Sequence, residues 1–162
     1  MKNVAIYPGT FDPPTNGHVD IVKRCLPMFE KVIVAISVNP EKTPMFSFDE
    51  RKQFFMDEFE SEERLSFVSF DEELLVSFSK NIGAQVIIRG LRAVSDFDYE
   101  LQMTLMNRNL DDSVETIFLM PSQQYSFLSS SIVKEVASLG GDVSSLVPSS
   151  VFKSLKNHFN IK

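Results

Sequence analysis

The chain has 162 residues, 43% of them hydrophobic and 23% charged, which suits one globular domain with a substantial core. Its net charge of −6 argues against general nucleic-acid binding, yet leaves room for a local basic pocket on an acidic body. A single cysteine, Cys25, excludes an intramolecular disulfide, and without a leader-like segment or an apolar run of membrane-spanning length the expected location is cytoplasmic, off the membrane.

The first apolar run, Val4–Tyr7, reads as a strand. It leaves through YPGTFDPPTNGH, Tyr7 to His18, where three prolines and two glycines in twelve residues make a stiff excursion. Asn16 is the expected N-cap of the helix that follows, read over Val19–Met28, which puts Gly17 and His18 in its first turn. Further strands are read at Val32–Ile36, Leu65–Phe70, Val86–Ile88 and Thr116–Met120, and further helices at Phe48–Phe59, Leu74–Asn81, Phe97–Leu110, Ser129–Leu139 and Val151–Phe159. The strands are continuously apolar rather than alternating, as strands covered on both faces are. The expectation is α/β: a single Rossmann-like, doubly wound domain over residues 1–162, with a five-stranded parallel sheet and C-terminal helices. Cys25, within an apolar helix, is read as packing.

In such sheets ligands bind beyond the carboxyl ends of the strands, where strand order reverses. The loops expected there are YPGTFDPPTNGH, NPEKTPMF, RGLRAVSDFDYE and MPSQQYSFLSSS. Gly9 lets the backbone approach a ligand, Thr10 offers a hydroxyl and an N–H, and His18 sits where helix amides and the dipole favour anions. Arg89 and Arg92 flank Gly90 at a strand end and suit convergent phosphate binding. Ser129, Ser130 and Ser131 open a helix and supply either a plain N-cap or a phosphate cradle. Leu74 and Leu75 read as core by pattern, as does Tyr99, and Glu100 by itself reads as a solvated helix charge.

YPGTFDPPTNGH ends in Thr15-Asn16-Gly17-His18, which resembles the Thr-first form of the (T/H)xGH nucleotidyltransferase signature. Taken in order with KTPMF, IIRGLRAVSDFDYE, MNRNL, FLMPS and FLSSSIVKEV, it resembles the bacterial phosphopantetheine adenylyltransferases from Lys2 to about Pro148. Two departures are Asp98, where Glu is usual, and Tyr125, where Trp is common. The resemblance implies adenylyl transfer from ATP to 4′-phosphopantetheine, giving dephospho-coenzyme A and pyrophosphate with Mg²⁺ assisting, by direct in-line attack without a covalent enzyme intermediate. It implies that His18 binds the α-phosphate and stabilises the transition state, and that Lys42 and Arg89 orient the phosphopantetheine phosphate. Thr10 and Leu75 are implied as further contacts to that substrate, Leu75 at the pantetheine arm. The nucleotide side falls to Thr10, Phe11, His18, Gly90, Leu91, Arg92, Glu100 and the run Tyr125, Ser126, Phe127, Leu128, Ser129, Ser130, Ser131. The metal's ligands are left open.

Two other readings compete. Sister enzymes that act on nicotinic acid or nicotinamide mononucleotide, or on glycerol phosphate, commonly place His first in HxGH, and RGLRAVSDFDYE speaks against them. A non-catalytic nucleotide sensor would keep the helix N-termini but have no need of Lys42 and Arg89 around a second phosphate. Apolar side chains on several faces of Phe97–Leu110 fit either burial against another subunit or a thickly covered core helix, and the resemblance implies a homohexamer.

Overall fold

The five apolar runs all become strands of one parallel sheet. The computed structural model describes residues 3–38, 43–71, 73–92 and 94–161. The strands are β1 (Val4–Gly9), β2 (Lys31–Ser37), β3 (Leu65–Phe70), β4 (Val86–Gly90) and β5 (Glu115–Leu119). Four of the five differ from the apolar runs at their ends, mostly because pairing continues through residues that need no burial, such as Gly9, Lys31 and Gly90. The connecting helices are α1 (Asn16–Cys25), α2 (Phe48–Glu58), α3 (Leu75–Asn81) and α4 (Val94–Leu110); a 3₁₀ turn at Gln123–Tyr125, α5 (Ser130–Ser138) and α6 (Ser149–Phe159) follow β5.

Strand order is β3-β2-β1-β4-β5, so the order reverses between β1 and β4. Side chains alternate across β1. Ala5 and Tyr7 join a core with Val19, Ile21 and Val22 of α1 and Phe55 of α2, while Ile6 packs on the other face with Val76 of α3. The sheet is therefore covered on both faces by its crossovers, as its continuous hydrophobicity requires. A third cluster joins Phe54 of α2, Val133 and Ala137 of α5 and Val151 and Leu155 of α6 beside the main layers.

β1 pairs with β2 over six residues, from Val4↔Lys31 to Gly9↔Ile36, whereas its register with β4 covers only Ala5↔Val86 and Ile6↔Ile87. Beyond Ile6 and Ile87 the two strands part, and a crevice opens at the point of reversal.

Three expectations are corrected. The N-cap of α1 is Thr15, not Asn16: Thr15 is extended, its hydroxyl accepts from the His18 amide, and Asn16 already lies in the helix. Asn16 instead fastens α1 to the loop before α6, its backbone N–H bonding Leu146 O and its side chain Ser145 O. α1 stops at Cys25 rather than Met28, because Pro27 has no amide proton to continue the ladder. Leu74 and Tyr99, read as core, are exposed at 58% and 63%. Leu74 is the residue before the first turn of α3, and Tyr99 lies on a face of α4 left largely open by the described residues.

Candidate active site

At the crevice a cavity of about 450 Å³ is lined by β1 and its loop, by the start of α1, by the end of β4, and by the segment leading into α5. It gathers most of the residues singled out from sequence: Thr10, Phe11, His18, Leu75, Arg89, Gly90, Arg92, Tyr125, Leu128, Ser129 and Ser130. Leu91, Glu100, Ser126, Phe127 and Ser131 do not line it, and Lys42 lies outside the described residues.

The loop after β1 is held from beneath. Phe11 takes a left-handed backbone conformation, φ 49°, which is unfavourable for a side chain with a Cβ. Its ring offsets that cost by packing against Tyr7, His18 and Phe55, with centroids 5.1–5.2 Å away. The ring fills the space beside Gly9, where a Cβ would come within 2.7 Å of it. Phe11 thus buttresses the loop with its side chain.

Two buried ionic groups, which the sequence reading passed over, fix the loop's ends. Asp12 accepts from the Met45 and Phe46 amides, both at 2.9 Å, and from Lys134 Nζ of α5 at 2.8 Å. Burial pushes the Asp12 carboxyl up, but the Lys134 bond and the two amides outweigh it and hold its pKa below the ordinary value. Arg51 is 1% exposed and donates to Thr10 O at 2.7 Å, Ser37 O at 2.8 Å and Ser47 O at 3.2 Å. It ties the loop after β1 to the end of β2 and the start of α2. An acidic residue inside a rigid loop, and an arginine beside the apolar Phe54 and Phe55, were the available signals.

His18 is the third residue of α1 and completes a capping box. Its Nδ1 lies 3.0 Å from the Thr15 amide nitrogen, which donates to it, and 3.1 Å from Thr15 Oγ1. An Nδ1 that accepts leaves the ring proton on Nε2. Burial, and then the charge of Arg92, lower the His18 pKa to about 4, so the imidazole is neutral at working pH. His18 is therefore a fixed N–H donor at the edge of the cavity.

The two arginines are braced. Arg89 makes a fork with Glu100 of α4, Nε to Oε2 at 2.7 Å and Nη2 to Oε1 at 2.5 Å. Burial works against its charge, but the bond and charge of Glu100 more than offset this, and its pKa lies above the usual value. Glu100 thus reaches the cavity through Arg89. Arg92 bonds Asp96 one turn on, with Nε–Oδ2 at 3.2 Å, and donates from Nη1 to Leu128 O at 3.1 Å, spanning from β4 to the entry of α5. At that entry the Ser129 hydroxyl caps the Ile132 amide, and the Ser130 hydroxyl is spent on Pro13 O. The amides of Ser130 and Ser131 remain without helical partners, as first-turn amides do, at the positive end of the helix. Donors and two cations converging on a half-open cleft suit the phosphate groups of a nucleotide.

A parallel sheet of this order, with such a cleft at its reversal point, defines a Rossmann-like α/β protein, a class whose ligands bind at that crevice. The model of the cytidylyltransferase-like family matches residues 6–136. A phosphopantetheine adenylyltransferase from Xylella fastidiosa (strain M23) is 47% identical over 157 residues, 97% of this chain and 96% of that protein. A crystal structure titled as a nicotinate-nucleotide adenylyltransferase from Vibrio parahaemolyticus superposes with a TM-score of 0.67, covering 98% of this chain and 93% of that one. At 17% identity it shows the fold and no more. The chain belongs to the cytidylyltransferase-like nucleotidyltransferases and, within them, to the phosphopantetheine adenylyltransferase family.

Proposed function

We propose that this protein, working as a single domain, transfers the adenylyl group of ATP to 4′-phosphopantetheine, giving dephospho-coenzyme A and pyrophosphate. The observation that carries the reading is 47% identity, over nearly the full length of both chains, to a relative bearing that name. The cleft supports it. Attack of the phosphopantetheine phosphate on the α-phosphorus, in line with the departing pyrophosphate, asks the protein for alignment and charge stabilisation rather than a nucleophile. His18 would donate from Nε2 to the α-phosphate as its charge rises. Arg89 and Lys42 would hold the attacking phosphate, and Arg92 with the first amides of α5 would hold the β- and γ-phosphates. The reading includes Mg²⁺ arriving with ATP and screening the triphosphate. Among the described residues no cluster of three or more His, Cys, Asp or Glu side chains is placed to hold a metal ion.

Pyrophosphate release tests the reading. Steady release is expected with ATP and phosphopantetheine together and none with ATP alone; release from ATP alone, or transfer to a mononucleotide instead, overturns it. Lys42→Ala and Arg89→Ala should each raise the KM for phosphopantetheine more than that for ATP, and the reverse pattern would exchange the two phosphate assignments.

The reading extends to assembly as a homohexamer, with α4 at a subunit interface. What supports this is the outward display of Tyr99, Leu105, Met106 and Leu110 on one helix. No helix among the described residues is long and apolar enough to cross a membrane.

A further inference from the structure

Tyr7 stands in the second half of β1, two residues before its end at Gly9, and its hydroxyl has no part in the site as described so far. The residue is only 4% exposed, its ring packed against Phe11. Among the described residues the hydroxyl has no hydrogen-bond partner, although a buried phenol ordinarily finds one. It is not sealed in the core either, because Tyr7 lines the cavity. It lies past the last β1–β4 pair, Ile6↔Ile87, where the strands have separated. Across that gap stands Gly90, where an added methyl group would meet Ile21 Cδ1 at 2.8 Å and the Tyr7 oxygen at 3.5 Å. The oxygen therefore looks over bare backbone between Arg89 and Arg92.

We infer that the Tyr7 hydroxyl is a ligand-binding group: it donates a hydrogen bond to a phosphoryl oxygen held in the cleft between Arg89 and Arg92. The inference rests on the adenylyl-transfer reading for the identity of that phosphate, which belongs either to ATP or to phosphopantetheine. Chemistry favours a donor in this place. Burial raises the Tyr7 pKa far above the working range, the Cys25 side chain adds to the rise, and the charges of Arg89 and Arg92 lower it only in part. The phenol thus keeps its proton beside two guanidinium groups, and the acceptor that satisfies all three is an anion. Gly90 has a reason in the same arrangement, since a side chain there would collide with Ile21 and crowd the Tyr7 oxygen.

Tyr7→Phe removes one oxygen and keeps the ring. Melting temperature, steady-state kinetics with each substrate varied, and calorimetric titration with ATP and with phosphopantetheine should be compared with the native protein. The expected result is a melting temperature within about 2 °C of native, a ten- to hundredfold fall in kcat/KM, and weaker binding of one of the two ligands. Loss confined to ATP places the contacted oxygen on the triphosphate, and loss confined to phosphopantetheine places it on the attacking phosphate. Native kinetics and affinities in the variant overturn the inference. So does activity lost together with a strongly lowered melting temperature, which would make the hydroxyl a structural group. Should the native protein bind ATP but form no dephospho-coenzyme A, the reaction reading falls, while the titrations still decide the role of Tyr7.

Discussion

His18 serves two purposes with one ring. Nδ1 is spent on the cap of α1, and that bond leaves the proton on Nε2, free to donate as proposed. His18→Ala should accordingly cut kcat and kcat/KM together by about 10²–10³, the loss known for one transition-state donor, with a smaller effect on ATP affinity. The same change removes half of a capping box, so stability should fall by about 1 kcal/mol, readable in a urea melt. Near-native turnover in His18→Ala, which has no side-chain donor, would sink the donor role. A pH test follows from the tautomer. Burial lowers the His18 pKa from 6.5 to about 4 in the folded chain, so the unfolded chain binds its proton more tightly. Its contribution to stability is fully present above about pH 6.5 and fades as pH falls towards 4. The Cε1 proton of His18 should shift with a midpoint near 4 by NMR, and no inflection of kcat/KM near 6.5 should trace to it. Sequence made the histidine legible because TxGH is compact and local. It did not reveal the Thr15 cap, because Asn16 is an equally good capping residue and only the backbone conformation chooses between them.

Between elements, the site depends on ties that do not follow sequence neighbourhood. Arg51 reaches from α2 to carbonyls at the ends of β1 and β2, and Asp12 reaches from the first loop to the segment before α2 and to α5. Pattern reading finds amphipathic helices and terminal caps, but a buried arginine inside an apolar face looks like an irregularity until its carbonyl partners are known. Arg51→Met keeps much of the volume and strands those carbonyls. It should cost about 1–3 kcal/mol of stability in a denaturant titration. It should also lower kcat/KM at least tenfold at temperatures where the variant is folded, since Thr10 loses its anchor. Lost stability with unchanged kinetics would reduce Arg51 to a core residue. The braces on Arg89 and Arg92 are of the same kind: Glu100 looked like a solvated charge because its partner lies eleven positions away, across the turn into α4.

For the molecule as a whole, the sheet was legible because strands buried on both faces betray themselves by composition, and helices between them dictate parallel crossovers. The apolar surplus of α4 was equally legible, and in the folded chain it stays outside, with Leu105 and Met106 more than half exposed. Light scattering should give a mass several times that of one chain, six being the expected number, and Leu105→Asp should lower it. A native monomer at full activity would remove α4 from any interface. The two-rung ladder between β1 and β4 carries one more consequence. It divides the sheet into a three-strand leaf and a two-strand leaf that share a short spine, with Tyr7 on one margin and Gly90 on the other. Substrate bound between those margins, as proposed, would act as a rivet, so that the contacts that align the reaction would also join the two leaves. Bound substrate should then raise the stability of the whole fold by RT ln(1 + [L]/Kd), read as a melting temperature that climbs with ligand concentration.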